Sequence, residues 1–554
     1  MNIFKDRFSE IKKASEPLYK SPKSVQETIE IQKISESGIF EVADGKYSKT
    51  YRFSDVNYAT RSEDEQESFF QRYCRCLNSF DCTFKITVNN KNKDMDVLRN
   101  EVMLKYRNDG FDKMRESYNR IIKEKILEGR QGIEQERYLT ITIERKNFEE
   151  AKAQFATIEA SIFRSFAELG SKLTPLTGNE RLKILHDYYR LGREDEFNFD
   201  IRQGRITGTD FRNEICNTRI KYHPDYFEDE GKVGRVLFIK KYPTYLSDRF
   251  FTELTFLPVH SVTSVDVVPV PKDLTMKMLQ KKYLGIESGI IKQQRTRNRN
   301  NDFSSDISYA TRQKKKDIEE IMNNVRENDE SLYYVSVTMI VMADDRNELE
   351  SICETVDSIA KGAGCAVDTC MYKQREAVNT TLPIGVRQIE TMRTMLTQSL
   401  AVLMPFNVQE LCDRNGIYYG VNQISKNIIV GNRKKLLNGN GFIFGVSGAG
   451  KSFQAKMEMG SVLLSTDDNV IAVDPMNEYE DVTEKYNGTY INISTNTRNY
   501  INPMDMDVWN LDVLDSKGWV RDKCQFMLSI CEQIMKEITP QQRSIISRCV
   551  KDLY

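Results

Sequence analysis

Residues 445–452 read Gly-Val-Ser-Gly-Ala-Gly-Lys-Ser, which satisfies the pattern G-x-x-x-x-G-K-[ST] in full. Each residue type has a task. Gly445, Gly448 and Gly450 let the backbone turn where a Cβ would clash. The backbone of Ser447, Gly448, Ala449 and Gly450 leads into a helix start whose amides and partial positive charge face an anion. Lys451 is placed to reach the outer phosphates of a nucleoside triphosphate, and the Ser452 hydroxyl to ligate Mg²⁺. The chemistry implied is the binding of ATP with Mg²⁺, with Lys451 as its principal catalytic cation.

The second constellation is Val-Ile-Ala-Val-Asp-Pro-Met-Asn-Glu-Tyr, residues 470–479. Asp474 lies 23 residues beyond Lys451, enough for one crossover helix and a strand. Asp474 and Glu478 are then expected at the carboxyl edge of a parallel sheet, where ligands of such folds sit. Four apolar residues ending in Asp read as a Mg²⁺-holding strand, or as the plain end of a strand at Asp474-Pro475.

These groups need a scaffold. Phe442, Ile443 and Phe444 predict a buried strand before the loop, and residues 453–465 predict a helix after it. With IYYGVNQ and NIIVGN upstream, strands and helices alternate as in a parallel α/β sheet. Earlier in the chain, residues 138–170 pair a strand (Leu139, Ile141, Ile143) with a helix whose apolar positions recur at three and four, from Phe148 to Leu169. Residues 333–364 repeat that order. Residues 62–90 and 234–271 supply the strand and helix patterns that precede each. The pattern is βαβ, connector, βαβ, present twice: a tandem ferredoxin-like (split βαβ) arrangement with helical insertions. The polar connectors 91–137 and 272–332 read as protruding helical hairpins. The second contains KQQRTRNRN, a solvated loop or a contact for phosphate or a partner. The expected domains are 1–230, 231–400 and 401–554.

Bulk composition narrows the classes. The chain has 80 Lys and Arg against 81 Asp and Glu, a formal charge of −1, which argues against a chain-wide polyanion binder. With 40% hydrophobic and 29% charged residues it fits a globular protein. Eleven cysteines are scattered and only three histidines occur. Cys74 and Cys76 have no second pair to complete a zinc pattern, so reduced thiols are expected. No apolar run is long enough to span a bilayer, and the first residues hold no apolar core of a secretory leader, so none is expected.

GVSGAGKS, VIAVDPMNEY and YINISTNTRNYINPMDMD together resemble the conjugation and type IV secretion ATPases, the VirB/TrbE/CagE family. RVLFIKKYPTYLSDRFFTEL, TLPIGVRQIETMRTMLTQSLAVLMPF and ITPQQRSIISRCVKDLY extend the likeness over nearly the whole chain, with 441–506 its most specific part. The resemblance implies a RecA-like motor of the HerA–FtsK kind, peripheral on the cytoplasmic face of the cell membrane. Its implied partners are channel and inner-membrane components, and its implied state is hexameric. In that family the DP-x-x-EY stretch follows the phosphate loop, and the Asp-Glu pair that holds Mg²⁺ comes much later. No apolar strand ending in Asp-Glu lies between Ser452 and Tyr554. Asp474 and Glu478 are therefore expected to support the nucleotide rather than form the main catalytic pair, with Glu478 kept beside Lys451 as a candidate catalytic residue and Asp474 as a nucleotide-binding one. The RecA-like domain is expected to be incomplete, a truncated reading of a longer protein, and hydrolysis by this chain to be weak. Two rival functions remain: a nucleotide-binding scaffold that docks channel components without turnover, and a translocase acting directly on DNA.

Overall fold

The computed structural model describes residue 22 and residues 24–92, 102–128, 133–217, 220–299, 309–411, 413, 416–423, 427–494, 497, 499, 501–505, 516–535 and 537–554. Residues 1–21 and part of the YINISTNTRNYINPMDMD stretch fall outside these residues. The chain divides into two compact units, Met1–Ile443 and Phe444–Tyr554.

The first unit is built on one large antiparallel sheet. A hairpin of β1 (Ile39–Ala43) and β2 (Lys46–Phe53) is followed by helix Glu63–Asn78 and β3 (Thr83–Asn92). Next come β4 (Ile133–Glu144), helix Phe148–Leu169 and the short β5 (Leu173–Pro175). After β6 (Ile220–Tyr222) and β7 (Phe227–Asp229), the pattern returns as β8 (Lys232–Lys241), helix Arg249–Thr255 and β9 (Ser261–Val270). It closes with β10 (Leu332–Ala343), helix Arg346–Gly362 and β11 (Ala366–Thr369), with β12 (Arg393–Leu396) added beside β10. The strand order is β1-β2-β4-β3-β9-β10-β8-β7-β6, with β5 beside β2 and β11 beside β8. Within each set of four, the fourth strand lies beside the first and the third between the first and second. The two sets join where β3 pairs with β9, Phe84 opposite Val267 and Val88 opposite Thr263.

The helices form where their punctuation predicts. Ser62 and Glu65 make a capping box at the start of Glu63–Asn78, which satisfies otherwise orphaned amides. Asn147 caps Phe148–Leu169, and Gly170 ends it in the left-handed region at φ 80°. Their apolar faces cover one side of the sheet, where Phe69, Tyr51, Phe84, Phe155, Val265 and Val335 are buried together. Because strand side chains alternate, the other side presents Ser48, Thr50, Lys85, Thr87, Thr140 and Ser264. These are also buried, under a strap formed by the end of helix Gln374–Thr381 and residues 382–388.

The strap is held by its own carbonyls. Ser48 Oγ donates to the Ile384 carbonyl at 2.6 Å, Thr142 Oγ1 to Gly385 at 3.0 Å and Lys85 Nζ to Val386 at 3.1 Å. Burial lowers the Lys85 ammonium to about 8, opposed by the carboxylate of Asp266, which lies 3.9 Å away. The polar strand positions thus satisfy a non-repetitive segment that would otherwise bury unpaired backbone.

The connector 272–332 is a helical hairpin, Lys272–Arg299 and Tyr309–Glu327, with Lys315 bound to Glu287 at 3.0 Å and lying over the Tyr283 ring. KQQRTRNRN continues the first helix to Arg299 rather than forming a loop; Asn300 lies outside the described residues. Cys74 and Cys76 are buried in the helical core, and the ten described cysteines are free thiols.

Two expectations for the region after residue 400 need correction. IYYGVNQ and NIIVGN form β13 (Ile417–Val421) and β14 (Ile428–Gly431), but these pair antiparallel as a separate two-stranded hairpin, not within a parallel sheet. Their short separation favours a hairpin over a crossover. Phe442, Ile443 and Phe444 do not form a buried strand: Phe442 is 84% and Phe444 86% exposed. Val470–Asp474 is likewise unpaired among the described residues, with Ile471 and Val473 each 93% exposed. An apolar run becomes a strand only when a neighbouring strand completes its ladder, and neither segment is in a strand among the described residues.

Candidate nucleotide-binding site

All the site residues foreseen from the sequence lie in the second unit. The loop turns on two left-handed glycines, Gly448 at φ 81° and Gly450 at φ 88°. Gly450 is the N-cap of helix Lys451–Ser465, so Lys451 and Ser452 occupy its first turn. The amides there have no partner within the helix by geometry alone, and they carry the positive end of a 15-residue dipole. The helix is anchored on its far side by Gly460, where a Cβ would come within 2.8 Å of the Tyr486 hydroxyl.

The Lys451 ammonium is folded back over the loop, donating to the carbonyls of Gly445 and Val446 at 3.0 Å each. Gly445 allows this, since a side chain there would meet the Lys451 stem at 3.3 Å. The Ser452 hydroxyl donates to Glu478 Oε2 at 2.5 Å, across 26 residues of sequence. Ser447, Gly448 and Ala449 form the exposed crest of the loop.

Asp474 has a different position from Glu478. Its carboxylate accepts from the amides of Met476 at 3.3 Å, Glu478 at 2.6 Å and Tyr479 at 2.9 Å. It therefore holds a tight turn, helped by Asn477 in the left-handed region at φ 58°, and that turn aims Glu478 at Ser452. The structure brings Ser452 and Glu478 together and uses Asp474 to position the second of them. The sequence did not reveal Tyr490, whose hydroxyl donates to Asn477 and braces the same turn; nothing in its local pattern marks it.

The donor set fits magnesium nucleotide. A hydroxyl beside a carboxylate offers hard oxygen ligands of the kind Mg²⁺ takes, and the first-turn amides with one mobile ammonium suit a polyphosphate. Among the described residues there is no group of three or more His, Cys, Asp or Glu able to hold a metal without such a ligand.

Residues 432–548 match the family model for the central domain of the helicase HerA. That span contains the loop, its helix and the Asp474–Glu478 turn. The chain carries a HerA-type P-loop domain. Domains of this type are associated with ATP-driven motors, and the match covers residues 444–548 of the second unit and the twelve residues before it. A search of curated proteins found no match. No described helix is long and apolar enough to cross a membrane.

Proposed function

We propose that this chain is the ATP-binding part of a P-loop motor of a type IV secretion or conjugation apparatus, energising channel assembly or substrate transfer. The observation that carries the ATPase reading is the Lys451–Ser452 helix start facing Glu478 inside a HerA-type domain. The secretion role rests on the resemblance of 441–506 and of the upstream segments to that family. The fourth-first-third-second strand order of each half supports the tandem ferredoxin-like description of the first unit. The translocase reading draws equal support from the HerA match, and it differs in acting on DNA directly.

Ser452 would hold the Mg²⁺ of bound MgATP, which would supply neutralising charge to the phosphates. The chain's own residues do the rest. Lys451 exchanges the carbonyls of Gly445 and Val446 for phosphate oxygens. The backbone of Ser447 to Gly450 wraps the anion while Ser452 contributes its hydroxyl as the metal ligand. Glu478, released from that hydroxyl, faces the same space and can order water; Asp474 keeps its turn in place. In a hexamer at the inner face of the membrane, turnover would be completed by carboxylate and arginine groups beyond these.

Calorimetry of the purified chain with MgATP tests this. The expected result is binding by the native chain, weakened about tenfold or more in Lys451→Ala through loss of a charge-assisted contact. Equal binding by both overturns the proposal. In cells, Lys451→Ala should also abolish substrate transfer.

A further inference from the structure

The first arm helix, Lys272–Arg299, is unlike the rest of the chain. It carries eight Lys or Arg and two carboxylates, a net of six positive charges on a protein whose formal total is −1. Its inward side is occupied: Thr275 and Leu279 are buried, and Tyr283 lies beneath Lys315 of the second arm helix. Its outward side is a stripe at helical spacing, Leu274, Lys277, Lys281, Leu284, Ile291 and Arg295, all exposed, with Asp273 in the first turn the one carboxylate on that face. Leu274, Leu284 and Ile291 are 47%, 59% and 48% exposed.

Cations alone would suit any polyanion. The interleaved aliphatic side chains select among them. Binding of single-stranded nucleic acid draws on aromatic faces for stacking, and the one aromatic residue of this helix, Tyr283, is turned inward. Leucine and isoleucine gain nothing from a phosphate backbone. They gain from entering the boundary between headgroups and acyl chains, while Lys and Arg reach the anionic headgroups beside them. We infer that the outward face of helix Lys272–Arg299 docks directly on an anionic phospholipid surface. This places a lipid contact on the chain itself, in a region remote in sequence from the nucleotide loop, and it does not depend on nucleotide binding.

The test is co-sedimentation of the full 554-residue chain with vesicles of phosphatidylcholine, with and without phosphatidylglycerol, in the absence of nucleotide. Binding is expected only to the acidic vesicles and is expected to weaken with salt. Replacing both cations in Lys277→Gln/Lys281→Gln should lower the affinity about twentyfold, from the usual attraction of two surface cations. Leu284→Ser/Ile291→Ser should lower it several-fold while leaving the salt dependence unchanged. Circular dichroism and melting verify that these exposed substitutions leave the fold intact. Failure of the native chain to bind acidic vesicles overturns the inference, as does binding indifferent to both variants. It is equally overturned if the variants weaken DNA binding by fluorescence anisotropy, or change the oligomeric mass, while vesicle binding is unaltered.

Discussion

Ser452 and Glu478 share a hydrogen bond of 2.5 Å, so the hydroxyl proposed to hold the metal and a carboxylate are adjacent. This adjacency predicts a division of labour. Glu478→Gln keeps a hydrogen-bond partner for Ser452 and removes the charge, so MgATP should still bind while turnover slows by about a hundredfold. Unchanged turnover in steady-state assays would reduce Glu478 to a structural neighbour. A second residue-scale expectation concerns Asp229, where burial raises the carboxyl from 3.8 to about 7, with Asn217 opposing. The folded state keeps this proton up to about pH 7, whereas the unfolded chain releases it near 3.8. In between, the unfolded state binds fewer protons, so stability falls as pH rises through that window. Urea titrations should show native chain losing stability relative to Asp229→Asn across it, by as much as about 4 kcal/mol.

At the scale of elements, the strap over the polar sheet face depends on one glycine. Gly385 sits at φ 94°, and a Cβ there would come within 2.6 Å of both Ser48 Cβ and Thr142 Oγ1. Gly385→Ala combines a left-handed strain with a clash against the buried Ser48 and Thr142 side chains, and should cost about 2 kcal/mol or more, read as a lower urea midpoint of the first unit. The closing helix Pro540–Leu553 has a capping box made by Thr539 and Gln542. Thr539→Ala should cost about 1 kcal/mol of local stability, seen as faster amide exchange in that helix's first turn and little change elsewhere.

For the whole molecule, the weak point of the chain is the stretch that leads into the loop. Leu436, Leu437, Phe442, Phe444 and Val446 are all strongly exposed, and they carry no strand pairing among the described residues. Limited proteolysis should cut between residues 436 and 446 before any site within the large sheet. MgATP should slow that cleavage by ordering the loop. Initial cleavage inside β3, β9 or β10 would contradict this distribution of stability.

Much of this was legible without coordinates. Apolar alternation in β4 and the three-four spacing of Phe148–Leu169 each depend on residues close in sequence, as do the caps at Ser62, Asn147 and Thr539. The phosphate loop was equally legible, because its glycines, lysine and serine act through their own backbone within eight residues. Other features depend on distant partners. That β3 meets β9, that Lys85 and Ser48 hold a strap more than 290 residues away, and that Glu478 rather than Asp474 faces Ser452 are set by which surfaces pack together. The same principle explains the apolar segments around Phe442 and Ile471, whose strand-like composition is real but whose pairing no local signal can supply. Sequence determined the helix caps, the alternation of the sheet strands and the chemical repertoire of the loop; tertiary structure decided the partners and which apolar runs became strands, because hydrogen bonds and burial between remote segments are properties of the folded chain alone.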